Sequence, residues 1–320
     1  TPMMTDYEYD KLYDELVSLE KETNMIFSNS PTINIEPTIS NELEKMTHPH
    51  PMLSLAKTKN TDDLVSFIGN QEGLLSWKLD GLTIVLTYED GKLISGVTRG
   101  NGIIGEVVTE NVKKFKNIPY TINYKGKLVL RGEAIIKYSD FEKMNMDNEY
   151  KNPRNLCSGS VRQLDSSITA QRNVNCIIFA LIEASTPLSN YKDENFKWLK
   201  TLGFDTVEYV KVNKNNLKNE VLNYKEKIKT YDIPSDGLVL TYNNIKYSNS
   251  LGTTAKYPKH SIAFKWQDET AKTILRNIDW MASRTGLINP VAVFDPVELE
   301  GTIVSRASLH NISILRELKI

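Results

Sequence analysis

The amino-acid sequence predicts an α+β fold of antiparallel strands flanked by helices, and three observations support this prediction. Strand and helix patterns alternate from about residue 50 to residue 268. The pair Asp90-Gly91 joins two apolar runs, which is a strong signal for a hairpin of antiparallel strands. The segment from Leu128 to Ile136 alternates in polarity and places Arg131 and Glu133 on the same face, as in a strand.

The individual elements follow from the periodicity of apolar residues along the chain. The first helix is predicted from apolar residues spaced three and four apart, and from a capping box formed by Thr5 and Glu8. A linker rich in Asn, Ser, Thr and Pro follows over residues 22–47. We expect helices at 5–20, 190–201 and 215–229, and strands at 83–88, 92–97, 128–136, 174–182, 237–242, 261–266, 291–294 and 302–304.

Composition and charge exclude several classes of protein. The 320 residues carry 39 basic and 40 acidic side chains, so the net charge of −1 excludes a histone-like protein but permits a local basic stripe that binds nucleic acid. The chain contains neither an apolar run of about 18 residues nor a secretory signal pattern, which predicts no membrane span. Since it begins at Thr1 and ends at Ile320 without a cap, we expect it to be a piece of a longer protein.

The cysteines and histidines give little support to metal or disulfide chemistry. Cys157 and Cys176 are too far apart for a CxxC pair, which argues against a disulfide framework and a zinc finger. This cysteine usage favours a reducing, cytoplasmic setting. With only four histidines, we predict no metal-ligating set of side chains.

Lys78 is the first candidate for a chemical role. If residues 76–81 are extended, Lys78 and Asp80 point to one face, and Trp77 and Leu79 point to the other. An amine among apolar residues is partly desolvated, which lowers its pKa and favours the neutral, nucleophilic form. The alternative is a surface lysine whose aliphatic stem lies along Trp77.

Two further segments could contact phosphates. Residues 100–105 fit the dinucleotide-binding fingerprint, but the strand before them belongs to a hairpin, and the fingerprint requires parallel strands. The alternative is a glycine-rich turn, with Arg99 beside it as a phosphate or ribose contact. Residues 152–155 look like a loop that carries Arg154, with Arg162 nearby, and guanidinium groups bind phosphates. For Arg131 and Glu133 the alternative is a cross-strand ion pair at a solvated surface.

Taken in order, the motifs resemble those of covalent nucleotidyltransferases. They are Lys78-Leu79-Asp80-Gly81, Arg131-Gly132-Glu133, Asp236-Gly237-Leu238-Val239 and Ala263-Phe264-Lys265. Longer segments look like those of bacterial NAD-dependent DNA ligases, namely residues 6–10, 48–55, 98–106, 152–165 and 305–311. The resemblance covers essentially the whole chain and implies a nucleotidyltransferase fold with a partial oligonucleotide-binding (OB) barrel.

The resemblance also implies a role for each site residue. Lys78, Asp80, Glu133 and Lys265 would be catalytic, and Lys78 would carry the AMP. Arg99, Glu133 and Lys265 would hold the AMP ribose and phosphate, while Ser54, Leu55, Ser76, Trp77 and Phe179 would form the adenine pocket. Asp6, Tyr9 and Asp10 would bind the nicotinamide mononucleotide half, and Arg154 and Arg162 would contact DNA. The implied cofactors are NAD and Mg²⁺, and the implied partner is nicked double-stranded DNA, bound by a monomer.

In domain terms, the resemblance implies a remnant of a small helical domain over residues 1–40. An adenylation domain would follow over 41–270, and an incomplete OB-fold domain over 271–320. The ligase family's first helix with its tyrosine–histidine pair, its zinc finger, its helix–hairpin–helix region and its BRCT domain would lie outside the chain. We therefore expect self-adenylation, but not efficient nick sealing, from this chain.

Three positions depart from the family pattern. Ser76 stands where the family has an acid, Thr241 where it has a lysine, and Asn101 where it commonly has aspartate. The loss of a charged phosphate contact at Thr241 would cost on the order of 10²-fold in rate and leave more of that contact to Lys265. These departures suggest a divergent branch.

Three other functions stay open at this point. An ATP- or GTP-dependent RNA nucleotidyltransferase would share the lysine motif. A non-catalytic or weakly active paralogue that binds nicked DNA would explain Ser76 and Thr241. A dinucleotide-dependent dehydrogenase would rest on residues 100–105 alone.

Overall fold

The computed structural model of the chain describes residues 6–27, 30–32, 42–147, 149–266, 271–282, 286–299 and 302–319. The chain divides into two compact units, Thr1–Lys265 and Trp266–Ile320. None of the helices in these ranges combines the length and the apolar composition that a bilayer crossing requires.

The helices are short except for the first. In chain order they are α1 Asp6–Thr23, α2 Thr61–Ile68, α3 Thr109–Val112, α4 Tyr138–Met144, α5 Pro153–Val161, α6 Ser166–Ala170, α7 Lys192–Thr201, α8 Leu217–Lys227, α9 Ile245–Leu251 and α10 Ile312–Leu318. A 3-10 turn, Ile228–Thr230, continues α8.

The strands form two main sheets, a small two-stranded sheet and a separate three-stranded sheet in the second unit. In chain order they are β1 Ile26–Phe27, β2 Lys45–Thr47, β3 Ala56–Thr58, β4 Gly73–Leu79, β5 Leu82–Glu89, β6 Lys92–Thr98, β7 Ile104–Glu106, β8 Pro119–Thr121, β9 Lys127–Ile135, β10 Asn175–Ala184, β11 Tyr209–Val212, β12 Ser235–Tyr242, β13 Ser261–Phe264, β14 Leu275–Ala282, β15 Ile288–Leu299 and β16 Thr302–Ser308.

The order of the strands confirms the antiparallel α+β fold. The six-stranded sheet runs β1-β8-β6-β5-β9-β10, and the five-stranded sheet runs β11-β4-β12-β13-β3. Every neighbouring pair in the first unit is antiparallel except β13 with β3. The chain crosses from the five-stranded to the six-stranded sheet between β4 and β5, at Asp80 and Gly81.

The hairpin prediction is confirmed in detail. Strands β5 and β6 pair antiparallel on either side of Asp90 and Gly91. Both turn residues have positive φ angles, 46° and 81°, which is the conformation of a type I′ turn. The right-handed twist of this turn matches that of the strands, and this explains why the dipeptide was a reliable signal.

Two predictions about loops are wrong. Residues 152–155 are not a loop, because Asn152 caps α5 by accepting a hydrogen bond from Asn155 N at 2.9 Å, and Pro153 occupies the first turn. A proline there is preorganised for a helix, so the same residues that favour turns also favour a helix start. Residues 22–47 are not all linker, since α1 runs to Thr23 and β1 and β2 lie within this range; residues 33–41 lie outside the described residues.

One face of the five-stranded sheet is covered by α8 and the segment that follows it. Leu75 and Trp77 of β4 point to this face, where the Trp77 ring packs edge-on against Tyr224 at 4.5 Å and stacks on Tyr231 at 4.4 Å. The Tyr224 hydroxyl donates to Leu75 O at 3.1 Å, which ties α8 to β4. Because strand residues alternate, Ser76 and Lys78 point to the opposite face.

Candidate active site

Lys78 lies near the end of β4, on the face opposite the Trp77 ring. Its Nζ donates to Asp236 Oδ1 at 2.6 Å, and its side chain is 24% exposed. The predicted apolar setting is therefore wrong, because the amine faces a carboxylate. The alternative of a lysine lying along Trp77 is also wrong, since the two side chains leave the strand on opposite sides.

Asp236 joins two lysines that are far apart in sequence. Lys265, which follows β13, places its Nζ 2.8 Å from Asp236 Oδ2, while Lys78 binds the other oxygen. Burial acts to raise the pKa of Asp236, but the hydrogen bonds from Lys265 and Lys78 outweigh it and hold the pKa below its usual value. Asp236 is thus a carboxylate at neutral pH. Asp236 lies in a motif that is evident in the sequence, but the sequence predicted no role for its side chain.

Gly237 explains how Asp236 reaches both lysines. The register of β12 with β4 is irregular between Ser235 and Leu238, which turns Asp236 toward Lys78. Gly237 has a φ of +155°, and a Cβ on it would lie 2.1 Å from Phe264 O. Only glycine allows β12 to approach the end of β13 this closely at this angle.

Glu133 lies on β9 and reaches the crossing between the two sheets. It is only 8% exposed and accepts hydrogen bonds from Gly81 N at 3.1 Å and from the Thr83 hydroxyl at 2.7 Å. Burial raises the pKa of Glu133 to about 7 despite these two bonds. The predicted alternative of a solvated ion pair with Arg131 is wrong, since Arg131 instead donates to His50 O at 2.7 Å.

This elevated pKa predicts a specific pH dependence of stability. A carboxyl that binds its proton more tightly in the folded state stabilises the fold below its unfolded pKa and loses that contribution as the pH rises through 7. The free energy of unfolding of the unsubstituted protein should therefore fall by about 3 kcal/mol between pH 4.5 and a pH above 7. We expect the Glu133→Gln variant to lack this fall. Urea unfolding at pH 5 and pH 8 measures it. The control Glu89→Gln changes an exposed acid of β5 and should leave the pH dependence intact; equal slopes for both variants would contradict the prediction.

The segment 48–55 is fixed onto the turn between β6 and β7. His48 N donates to Ile103 O and Met52 N donates to Gly102 O, both at 2.8 Å. Gly102 has a φ of +92°, and a Cβ there would lie 2.6 Å from Met52 O. The glycines at 100–105 therefore serve a tight turn and a close backbone approach. The dinucleotide fingerprint is wrong, because β6 is antiparallel to its neighbours and strand β7 follows the turn.

This arrangement brings two predicted nucleotide contacts together. Arg99 Nη2 donates to the Ser54 hydroxyl at 3.2 Å, and Arg99 N donates to Thr83 O at 2.9 Å. Thr83 in turn binds Glu133, so Arg99 and Glu133 meet around the same residue. Leu55 is half-buried just before β3. Strand β3 pairs with β13, and Lys265 N donates to Thr58 O at 2.9 Å.

The two predicted DNA-binding arginines are both paired with acids. Arg154, in the first turn of α5, forms an ion pair with Asp80. Arg162, at the C-terminal end of the same helix, places its Nε 2.7 Å from Glu106 Oε2. Asp80, predicted as catalytic, therefore holds Arg154 close to the crossing between the sheets. A DNA phosphate would have to exchange with these acids.

Several other predicted contacts lie in different surroundings. The Trp77 ring is in the core, so only its backbone faces the site. Phe179 is half-buried at an irregularity in the register between β9 and β10. The backbone of Asp6, Tyr9 and Asp10 forms the start of α1, but their side chains lie outside the described residues.

At the three positions that depart from the family pattern, the side chains form hydrogen bonds with uncharged partners. Ser76 donates weakly to Val239 O at 3.4 Å, and Thr241 shares a hydrogen bond of 2.9 Å with Ser261. Asn101 accepts bonds from the amides of Ile103 and Ile104 at 2.9 and 2.8 Å, so it caps the turn, as an aspartate could.

Thr241 does not lie beside the lysine pair, as the predicted loss of a phosphate contact would require. It pairs with Ser261 at the far end of β13, and Lys265 comes four residues later. Four strand residues span about 13 Å. The prediction that Lys265 compensates for Thr241 is therefore unsupported by their positions.

Together these residues form a charged site around the crossing between the two sheets. It offers a primary amine, a second ammonium group held by the same carboxylate, and a protonatable acid at the crossing between the sheets. Within the described ranges, no cluster of three or more His, Cys, Asp or Glu side chains could hold a metal ion.

Comparison with known proteins shows the family to which the chain belongs. The family model of the NAD-dependent DNA ligase adenylation domain matches residues 40–269, and that of the NAD-dependent DNA ligase OB-fold domain matches residues 272–320. The antiparallel sheets and these matches define a nucleotidyltransferase-type ligase fold followed by an OB-fold unit. The chain belongs to the NAD-dependent DNA ligase family.

Curated relatives extend over the whole chain. The DNA ligase of Lachnoclostridium phytofermentans is 57% identical over 99% of this chain and 50% of that protein. The DNA ligase of Ruminiclostridium cellulolyticum is 55% identical over 100% of this chain and 50% of that protein. The DNA ligase of Clostridioides difficile is 37% identical, with the same coverage. The chain thus spans about half the length of the curated relatives it matches.

Proposed function

We propose that the protein is an NAD-dependent DNA ligase in which Lys78 is the nucleophile. The observation that carries this proposal is the arrangement of Lys78 and Lys265 on the two oxygens of Asp236. One lysine can attack a phosphorus atom while the other neutralises its charge. We also propose the domain division at residues 40 and 270, a cytoplasmic location and a monomeric state.

In the first step, neutral Nζ of Lys78 attacks the α-phosphorus of NAD. A nitrogen–phosphorus bond forms, and the bond from phosphorus to the bridging oxygen breaks, with its electron pair leaving on nicotinamide mononucleotide. The ammonium form loses two protons overall, one before and one after attack, and both go to solvent. Asp236, with its lowered pKa, orients the amine rather than storing its proton. Such catalysis depends mainly on positioning and charge neutralisation.

The later steps pass AMP to DNA. The 5′-phosphate at a nick attacks the lysyl adenylate and releases Lys78, and the 3′-hydroxyl then attacks the activated phosphate and expels AMP. Arg154 and Arg162 are proposed to contact the DNA by exchanging their acidic partners for phosphates.

The remaining residues are proposed to hold the dinucleotide. Arg99, Glu133 and Lys265 would contact ribose and phosphate, with support from the cluster of Arg99, Thr83 and Glu133. Ser54, Leu55, Ser76, Phe179 and the backbone of Trp77 would surround the adenine, and Asp6, Tyr9 and Asp10 would meet the nicotinamide half.

The carboxylates at the site do not fit a resident Mg²⁺ ion. Asp236 is held by two lysines, Asp80 by Arg154, and Glu133 by a backbone amide and a hydroxyl. Mg²⁺ binds through carboxylates, water and substrate phosphates in octahedral geometry. These side chains alone offer no set of free carboxylates for the ion.

The choice of donor tests the proposal. We expect the intact protein, mixed with Mg²⁺ and either NAD or ATP, to gain one adenylate from NAD only, as measured by intact mass. Nicked duplex DNA added afterwards should remove the adenylate, although we expect this chain to seal the nick only inefficiently. A protein that binds nicked DNA but gains no adenylate from either donor would instead be the non-catalytic paralogue, and adenylation by ATP would indicate the RNA-type enzyme.

A further inference from the structure

The face that carries Lys78 is organised in rows set by the strand register. At Ser76, two residues before Lys78, a row of residues paired across the strands runs through β11, β4, β12 and β13. We call it the middle row, and it consists of Tyr209, Ser76, Val239 and Ala263. The next row, called the far row, consists of Lys211, Leu74, Thr241 and Ser261.

The middle row contains uncharged residues only. Ser76 is half-buried, and its single weak bond to Val239 O leaves the hydroxyl free to rotate. In the far row, Lys211 is neutralised by Asp193 at 3.0 Å and Glu72 at 3.6 Å. A ligand above Ser76 therefore meets a hydroxyl that can donate or accept, beside the uncharged side chains of Tyr209 and Val239. A carboxylate at position 76 could only accept hydrogen bonds.

The far row is buried at Thr241 and Ser261, and its polar groups bond to one another. Thr241 and Ser261 share a hydrogen bond of 2.9 Å in which either can donate, and Ser261 lies 2.7 Å from His260 Nδ1. Burial, together with the charge of Lys192, lowers the pKa of His260, so its imidazole is neutral at pH 7. The far row therefore places no unpaired charge behind Ser76.

The distance from Lys78 places the middle row at the base of a bound nucleotide. Two strand residues cover about 7 Å, comparable with the length of a nucleoside. A nucleotide whose phosphorus is at Lys78 thus brings the edge of its base to Ser76. On adenine that edge has an amino donor beside a ring acceptor, and on hypoxanthine a keto acceptor beside a ring N–H donor.

We propose that the site accepts dinucleotides of 6-amino and 6-keto purines with similar efficiency, because the Ser76 hydroxyl can either donate or accept a hydrogen bond. This inference rests on the proposed function and names a second substrate class for it. The reaction is the same for both: Lys78 forms a bond to the α-phosphorus, nicotinamide mononucleotide leaves with the bridging oxygen, and inosine monophosphate stays on Lys78 instead of AMP.

Single-turnover rates with NAD and with nicotinamide hypoxanthine dinucleotide test this inference on the intact protein. We expect the second-order rate constants of adduct formation with the two donors to agree within about tenfold. Ser76→Glu introduces an acceptor that cannot donate, and should raise the preference for NAD to about 10²-fold or more. The control Ser95→Glu makes the same change on β6 of the other sheet, and should leave the ratio unchanged.

The outcomes separate the inference from the function on which it rests. A preference of about 10²-fold or more for NAD in the unsubstituted protein would overturn the inference alone, since adenylation itself would still occur. The absence of an adduct with either donor would overturn the proposed function and the inference with it. Because the ratio in the unsubstituted protein carries the test, a Ser76→Glu variant that fails to fold does not weaken it.

Discussion

Replacement of Lys78 by arginine is expected to abolish the covalent adenylate while leaving the fold intact. Arginine supplies a cation for Asp236, so the ion pair at the end of β4 is kept. A guanidinium group stays protonated and cannot attack phosphorus. Loss of a nucleophile typically costs at least about 10⁴-fold in rate, which reduces the adduct to background in intact-mass analysis. Lys78→Ala should lose the adduct equally.

Lys265→Arg is the matched control for this variant. It makes the same change at the other lysine of Asp236 and keeps a positive charge near the phosphate. We expect this variant to form the adduct more slowly but on the same residue, as peptide mapping would show. An adenylate on Lys265 in the Lys78→Arg protein would refute the assignment of the nucleophile.

Asp236→Asn is expected to slow adenylation about 10²-fold, comparable with the removal of one preorganised electrostatic contact. Asparagine has the same shape but no charge, so the two ammonium groups that share the carboxylate would repel each other. The first-order rate constant at saturating NAD should fall more than the apparent affinity, because the change disturbs the orientation of Lys78. Quenched single-turnover reactions at several NAD concentrations separate the rate constant from the apparent affinity for NAD.

Asp232→Asn provides the comparison for Asp236→Asn. Asp232 lies four residues earlier and binds the amide and hydroxyl of Ser139 instead of a lysine. We expect less than about a threefold change in the rate of adenylation for this variant. Equal losses in the two variants would indicate a general structural effect and would contradict the role of Asp236.

The sequence was most informative where local chemistry decides the structure. The β5–β6 hairpin follows from the backbone conformation that Asp90-Gly91 favours, and β10 follows from its continuous apolar run. The segment beginning at Asn152 was misassigned because asparagine and proline favour both turns and helix starts, and the outcome depends on the residues that follow.

The site was less predictable because its contacts are long-range. Alternation in β9 reveals a strand, but it does not reveal that the face with Glu133 is buried, since that depends on what packs over it. The contact between Lys78 and Asp236 joins residues 158 positions apart and requires the irregular register of β12. Only the resemblance to a family placed the two motifs in one site.

The glycine at position 237 links the pairing of β12 with β13 to the position of the Asp236 carboxylate. Any side chain there would push β12 away from the carbonyl of Phe264, and the same displacement would move the neighbouring carboxylate from between its two lysines. A single substitution at this position should therefore disturb the strand pair and both ion pairs at once.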